Sequence, residues 1–298
     1  MSQAGPLAIR FARSPAVYRV LIGVPVLGAA AVVATIATAP GSDRVVLAAA
    51  ALVAAAAGLS ATSIGVFGGV LVPGLLLLGV EPRVAAPLSL VLQVIVIPLG
   101  ATSHAAVGNV QRSIVLPLVI GGVFGSVTGA LLASTVPSAV TARVVAAVIV
   151  IVGLIVLATL RTGYAAGHVD REQVHPGRIG GIGMVAGFAS GISGAGWGPI
   201  GVKLLILSRI DPRHAIGSSL VGRIAMAVAA IVTYAVSAAA TGGVTFEPRL
   251  FVVLLAASAA AMMPGTVLLS RLGRGRASAL VAVLSIGLAL PSLLGGGR

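Results

Sequence analysis

The chain contains no cysteine, which excludes disulfide cross-links and thiolate metal sites from the start. Its 298 residues include only six acidic side chains, and charged residues of either sign make up 8% of the sequence. A water-soluble surface could not be covered with so few polar groups. Also missing are a Walker loop, an HExxH sequence, a nucleophile elbow and any pair of carboxylates within an apolar segment. Neither ATP hydrolysis nor hydrolytic catalysis is visibly encoded, so the chain reads as non-enzymatic, with no cofactor and no metal expected.

What the chain has in abundance is hydrocarbon. Apolar residues make up 58% of it, in repeated runs of roughly 18 or more residues, the length that crosses about 30 Å of hydrocarbon as a helix. The expected class is therefore an all-α polytopic membrane protein, multi-pass in the bacterial cytoplasmic (inner) membrane with the lipid bilayer as its solvent. Closed barrels, with short alternating strands, do not fit. The alanine, valine, leucine and glycine content suits close helix contacts in lipid. The net charge of +13 comes from arginines scattered singly between apolar runs, so no basic stripe for nucleic acid exists. In a membrane protein the same surplus reads as positive-inside anchoring and as a favourable field for anions.

Arg10, Arg13 and Arg19 precede an apolar stretch from Leu21 to Ala39 that ends in the signal-peptidase-like triplet Ala37-Thr38-Ala39. The run is longer than a signal peptide's apolar core and Pro40 would follow the cut, so residues 1–40 are expected to hold an uncleaved extra transmembrane helix.

After that helix one pattern occurs twice. The stretch from Gly58 to Leu90 resembles the stretch from Gly187 to Leu220, with Glu81-Pro82-Arg83 answering Asp211-Pro212-Arg213. The same offset pairs Phe67 with Trp197, Gly68 with Gly198, Ser89 with Ser219 and Gln93 with Arg223. In each copy a tip of small residues, 61–67 and then 193–198, splits the opening element. The flanking arms, 45–60 and 68–80, then 179–192 and 199–210, are about 12 to 16 residues, roughly 18 to 24 Å of helix. Two re-entrant hairpins of partial helices are expected, their unwound tips tolerated because protein surrounds them. Three fuller spans follow each hairpin, near 85–102, 113–134 and 139–160, then near 214–238, 250–269 and 277–294.

The arginines test this arrangement. If each hairpin returns to its starting side and the N-terminus is cytoplasmic, twelve basic residues lie inside (Arg10, Arg13, Arg19, Arg112, Arg161, Arg171, Arg178, Arg209, Arg213, Arg271, Arg274 and Arg276). Five lie outside (Arg44, Arg83, Arg143, Arg249 and Arg298). Treating each hairpin as a single crossing gives ten against seven, so the hairpin reading fits the positive-inside bias better. It makes the halves, 41–160 and 179–298, inverted repeats joined by a cytoplasmic linker over 161–178, as in many secondary transporters.

Both tip regions, GVFGGVLVPGLLLLGVEPRVA and GAGWGPIGVKLLILSRIDPRHAIGSSL, resemble the paired signature of the TauE/SafE family of sulfite and organosulfonate exporters. The resemblance extends from about Val45 to the end. It implies transport of sulfite, a sulfonate or a related sulfur-containing oxyanion, and export as the direction.

All six acidic residues, Asp43, Glu81, Asp170, Glu172, Asp211 and Glu247, fall at loops or span ends, whereas Lys203 and Arg223 fall within apolar helical sequence. A charge near the bilayer centre costs about 2.5 to 3.5 kcal/mol on the lenient insertion scale, so it calls for a function or a partner. A bound anion would compensate both cations; the alternative is snorkelling toward the surface. Ser219 and Arg223 share a helix face, as do Ser89 and Gln93 at the equivalent places, although serines and a glutamine also serve helix packing. The helix starts at Gly68, Gly69 and Gly198 offer backbone N–H groups to an oxyanion, and Trp197 either caps the site or fills space.

The expectation is a secondary transporter with a small anionic substrate bound between the hairpins. A small-anion channel and a non-transporting membrane scaffold are the alternatives. A coupling ion and assembly as a homodimer are left open.

Overall fold

In a chain this apolar the backbone N–H and C=O groups must satisfy one another, and helices do so within a single segment. The computed structural model describes residues 15–64, 66–106, 108–161, 175–195, 197–241, 246–272 and 274–295, and no strand occurs among them. The described helices are α1 (Pro15–Ala37), α2 (Gly41–Ile64), α3 (Gly68–Leu77), α4 (Pro82–Ala106), α5 (Arg112–Thr135) and α6 (Ser138–Arg161). Then follow α7 (Pro176–Ser193), a π-helix over Gly198–Val202 that runs on into α8 (Lys203–Leu207), and α9 (Pro212–Thr241), α10 (Pro248–Leu272) and α11 (Arg274–Leu293). Most of the expected linker, residues 162–174, lies outside the described residues, as do Gly65 and Gly196 at the two tips.

Local chemistry explains where several helices begin. Proline opens α4, α9 and α10, where its fixed φ suits the first turn and its missing N–H costs nothing. Glu81, Asp211 and Glu247 each stand one residue ahead, and Asp43 lies in the first turn of α2. The described acids thus all sit at positive helix ends. By length and composition four described helices can cross a membrane, within Gly41–Ala61, Arg112–Thr135, Ser138–Ala158 and His214–Ala240. With five shorter apolar helices beside them, the chain is a multi-pass membrane protein.

The opening elements of the two halves are lopsided. The first arm, α2, has 24 residues, about 36 Å of helix, so it is long enough to cross and not the partial helix expected from residues 45–60. Nothing in Ala61-Thr62-Ser63-Ile64 breaks a helix, so the coil continues past Ser60. The corresponding α7 has 18 residues, about 27 Å. Only the return arms are short: α3 has 10 residues, and the π-helix and α8 have 5 each.

Packing between the halves is reciprocal. Helix α5 lies along α7, and α2 lies along α10. Since α2 corresponds to α7 and α5 to α10 in the repeat, the same pair is made twice, once in each direction. Two helices meet their own equivalents, α4 against α9 and α6 against α11, while α1 lies on α10 and α2. Glycine permits the closest of these contacts. A Cβ at Gly125 of α5 would fall 2.1 Å from the Met184 carbonyl oxygen, and one at Gly187 of α7 would fall 2.3 Å from that of Gly122. On the other side, a Cβ at Gly58 of α2 would sit 2.3 Å from the Ser258 oxygen of α10. Where lipid removes the hydrophobic drive between helices, this backbone approach supplies the van der Waals attraction instead.

The α4–α9 pair runs antiparallel. Gln93 meets Arg223 midway along both helices, while the Gln111 N–H, beyond the end of α4, donates to Ser218 Oγ near the start of α9 at 3.0 Å. One buried apolar cluster, with Leu71, Leu75 and Leu92, surrounds α3, and a second gathers Leu118, Trp197, Leu205 and Met226.

Candidate functional site

Where α7 ends, its last carbonyls have no intrahelical donor. Gly194 closes the helix in the left-handed region, φ +65°, and its N–H returns to Ser190 O at 2.7 Å. The Tyr234 hydroxyl of α9 donates to Gly191 O at 2.8 Å. The Gly194 carbonyl accepts from Gln93 Nε2 at 2.9 Å and from Ser89 Oγ at 3.1 Å, both on α4. The four-residue spacing of Ser89 and Gln93 puts them one above the other, and Gln93 Nε2 also lies 3.0 Å from Ser89 Oγ. The other end of the same amide faces α9, where Gln93 Oε1 accepts a hydrogen bond from Arg223 Nη2.

Gly68, at the start of α3, closes on this cluster. Gly68 lies so near the second tip that a Cβ there would fall 2.1 Å from Gly194 O and 2.8 Å from Ala195 Cα. Each tip is also held by a serine at the end of its long arm. Ser60 Oγ donates to Val66 O at 2.6 Å, and Ser193 Oγ accepts from the Ala195 N–H at 3.1 Å. The tips of the two halves thus meet beside one buried guanidinium, Arg223 being only 5% exposed. The first turn of α3 carries no capping side chain from Phe67. A cation and an uncapped helix start in a medium of low dielectric give a positive potential, the chemistry of an anion site.

A family described as sulfite exporter TauE/SafE matches residues 50–291, which span α2 to α11 and most of the chain. The chain belongs to the TauE/SafE family. It is also similar to the probable membrane transporter protein YtnM of Bacillus subtilis (strain 168), 29% identical over 183 residues. That match covers 59% of this chain and 59% of the relative, so the chain spans about three fifths of the length of that protein. No solved structure matches. As a member of a family of membrane transporters, the chain fits the non-enzymatic reading, and α1, before residue 50, stands outside the family match.

Within this family member the expected site residues separate into groups. Ser89, Gln93, Arg223 and Gly68 come together with the Gly194 carbonyl. Gly69, the next residue of the same turn, faces Val66 and Ser285 instead. Ser219 is buried on the Arg223 face of α9 but turns its hydroxyl to its own backbone, at Ile216 O. Gly198 opens the π-helix, and Lys203 follows it, half-buried at the head of α8. Trp197 is 1% exposed, packed with Leu118, Leu205 and Met226 and with its ring against Gly201, the place of a space-filling aromatic.

Two participants escape a reading of the sequence. Gly194 carried a signal in hindsight, a glycine directly after an apolar helical run, the usual mark of a left-handed helix end. Tyr234 carried none, because only the crossing of α9 over α7 brings its hydroxyl to Gly191.

Proposed function

We propose that this TauE/SafE protein is a secondary transporter that carries a small oxyanion, sulfite or an organosulfonate, outward across the bacterial inner membrane by alternating access. The observation that carries this reading is the hydrogen bond between Arg223 and Gln93 at the junction of the two tips. The guanidinium sits inside apolar helices, 5% exposed, where a charged side chain is costly. A bound oxyanion offsets that cost, and the family description supports a sulfur oxyanion.

The antiparallel pairing of α4 with its equivalent α9, and the two reciprocal pairs α5 with α7 and α2 with α10, support inverted repeats over 41–160 and 179–298. Helices related by a two-fold axis run antiparallel only when the axis is perpendicular to them, which in a membrane means an axis in the bilayer plane. Rocking about such an axis exposes the tip junction first to one side and then to the other.

The test is sulfite flux in liposomes holding the full chain. Flux is expected to saturate and to rise with sulfite on the far side, as a carrier requires. Arg223→Met and Lys203→Met are each expected to weaken sulfite binding roughly 10- to 150-fold, the range that follows from about 1.5 to 3 kcal/mol per charge-assisted hydrogen bond. Arg223→Lys restores only part of it, because a point charge cannot offer the guanidinium fork. If both Met variants fold and bind sulfite as the parent does, the site is elsewhere and the proposal fails.

A further inference from the structure

The two return arms have the same length and end alike. Helix α3 covers Gly68–Leu77, and the π-helix with α8 covers Gly198–Val202 and Lys203–Leu207, its equivalents in the repeat. Beyond the first arm the Gly79 N–H donates to Leu76 O and the Val80 N–H to Leu75 O. Beyond the second the Arg209 N–H donates to Ile206 O and the Ile210 N–H to Leu205 O, the same bonds at corresponding places.

The strain in the two arms is not alike. The first is α-helical throughout, whereas the second opens in a π turn, a rare form that is frequent at functional sites. The left-handed residue past the first arm is a glycine, Gly79 at φ +82°, but past the second it is Arg209 at φ +64°, where a side chain is strained. Phe67, ahead of the first arm, has no polar side-chain atom. Its counterpart Trp197 has an indole N–H that is buried and without a hydrogen-bond partner among the described residues, although a buried indole ordinarily finds one. All three departures fall on the second arm.

Closed packing keeps the N–H in this condition. A Cβ at Gly201 would come 3.1 Å from the ring's Cε2, the carbon bonded to the N–H nitrogen, and Leu118, Leu205 and Met226 pack in the same cluster. No acceptor reaches the N–H unless the arm moves. The tip junction is close by: Trp197 lies three residues beyond Gly194, and Met226 lies three residues along α9 from Arg223, about one helical turn.

We infer that the second return arm is the moving gate of the transport cycle, and that relaxation of its π turn presents the Trp197 N–H as a further donor to the anion beside Arg223. The inference rests on the transport reading and adds to it which arm moves and which group the movement recruits. Symmetry alone does not choose between the arms. Strain does, because a segment held in costly conformations is the one whose displacement relieves them. The donors lie on the same side: Trp197 stands for Phe67, Lys203 for Pro73 and Arg223 for Gln93, so the second half holds the stronger donor of each pair.

Hydrogen exchange on the full chain in liposomes compares the arms directly. Amides of 198–207 are expected to exchange faster than those of 68–77, and sulfite is expected to slow only the former. The indole gives a second readout, being the single tryptophan of the sequence. Its emission is expected at the blue, apolar end and to shift to the red with sulfite, as the N–H gains an acceptor. Trp197→Phe, which gives the second arm the residue of the first, is expected to weaken sulfite binding about tenfold. Should the parent bind sulfite with both arms equally protected, the gate is overturned and transport stands. Unchanged affinity in Trp197→Phe with an unmoved emission in the parent overturns the donor. Should the parent bind no sulfite, the transport reading falls and this inference with it.

Discussion

Gln93 and Arg223 occupy the same place in the two halves of the chain and hydrogen-bond to each other, the arginine donating to the glutamine. In a molecule with approximate two-fold symmetry, a residue meets its own equivalent only near the axis. Arginine in both places would set two like charges against each other in a medium that screens poorly, and glutamine in both would leave no net charge. The pair that is present joins the halves and places a guanidinium where the tips meet.

That joint is testable as a pair. Gln93→Leu removes an acceptor of a buried guanidinium and a donor to Gly194 O, and is expected to lower stability by about 1.5 to 3 kcal/mol. Arg223→Met leaves Gln93 Oε1 without this donor and costs about 1 to 3 kcal/mol. Because the two changes share one bond, the double variant is expected to cost less than the sum, by about 0.5 to 3 kcal/mol. Thermal unfolding of the four proteins in one detergent measures this; strict additivity means the bond contributes nothing.

The tip junction should tolerate no side chain. Gly194→Ala places a Cβ on a left-handed residue, 2.7 Å from Ala86 O, and is expected to cost at least about 1 to 2 kcal/mol. Gly68→Ala strains no φ but collides with Gly194 O, so it parts the tips. Both are expected to abolish sulfite flux in liposomes, and normal flux through Gly68→Ala would show that the tips need not touch.

Along the α5–α7 seam, position rather than glycine content decides the outcome. Gly125→Ala meets backbone at 2.1 Å and is expected to lower the melting temperature, since a carbonyl oxygen cannot move aside. Gly181→Ala, on α7 with nothing within 4 Å of the added Cβ, is expected to be neutral or to stabilise by up to about 1 kcal/mol. Equal effects in thermal unfolding would contradict the assigned seam.

In the proposed inverted arrangement the first helix crosses once and each half three times, an odd number, so the termini are expected on opposite sides, the N-terminus inside. Reporter fusions at Gln3 and Gly297 check this, and two cytoplasmic ends would sink the inverted arrangement.

Much of this protein was legible in its residues alone. Long apolar runs, proline after an acidic residue and glycine at breaks act within one turn of helix, so helices α4 to α6 and α9 to α11 lie within a few residues of the six expected spans. The repeat was legible because it is a pattern in the chain, and it named Gln93 and Arg223 as equivalents before anything brought them together. The length of α2 was misjudged, because small residues before a tip look alike whether helical or unwound, and only packing on α10 tells them apart. Tertiary structure alone decided that Gln93 spans Arg223 and Gly194 and that Tyr234 closes the end of α7. Each of those facts depends on which helix lies opposite. In lipid that choice is made by backbone shape across many glycines and valines at once, and no short stretch of sequence records it.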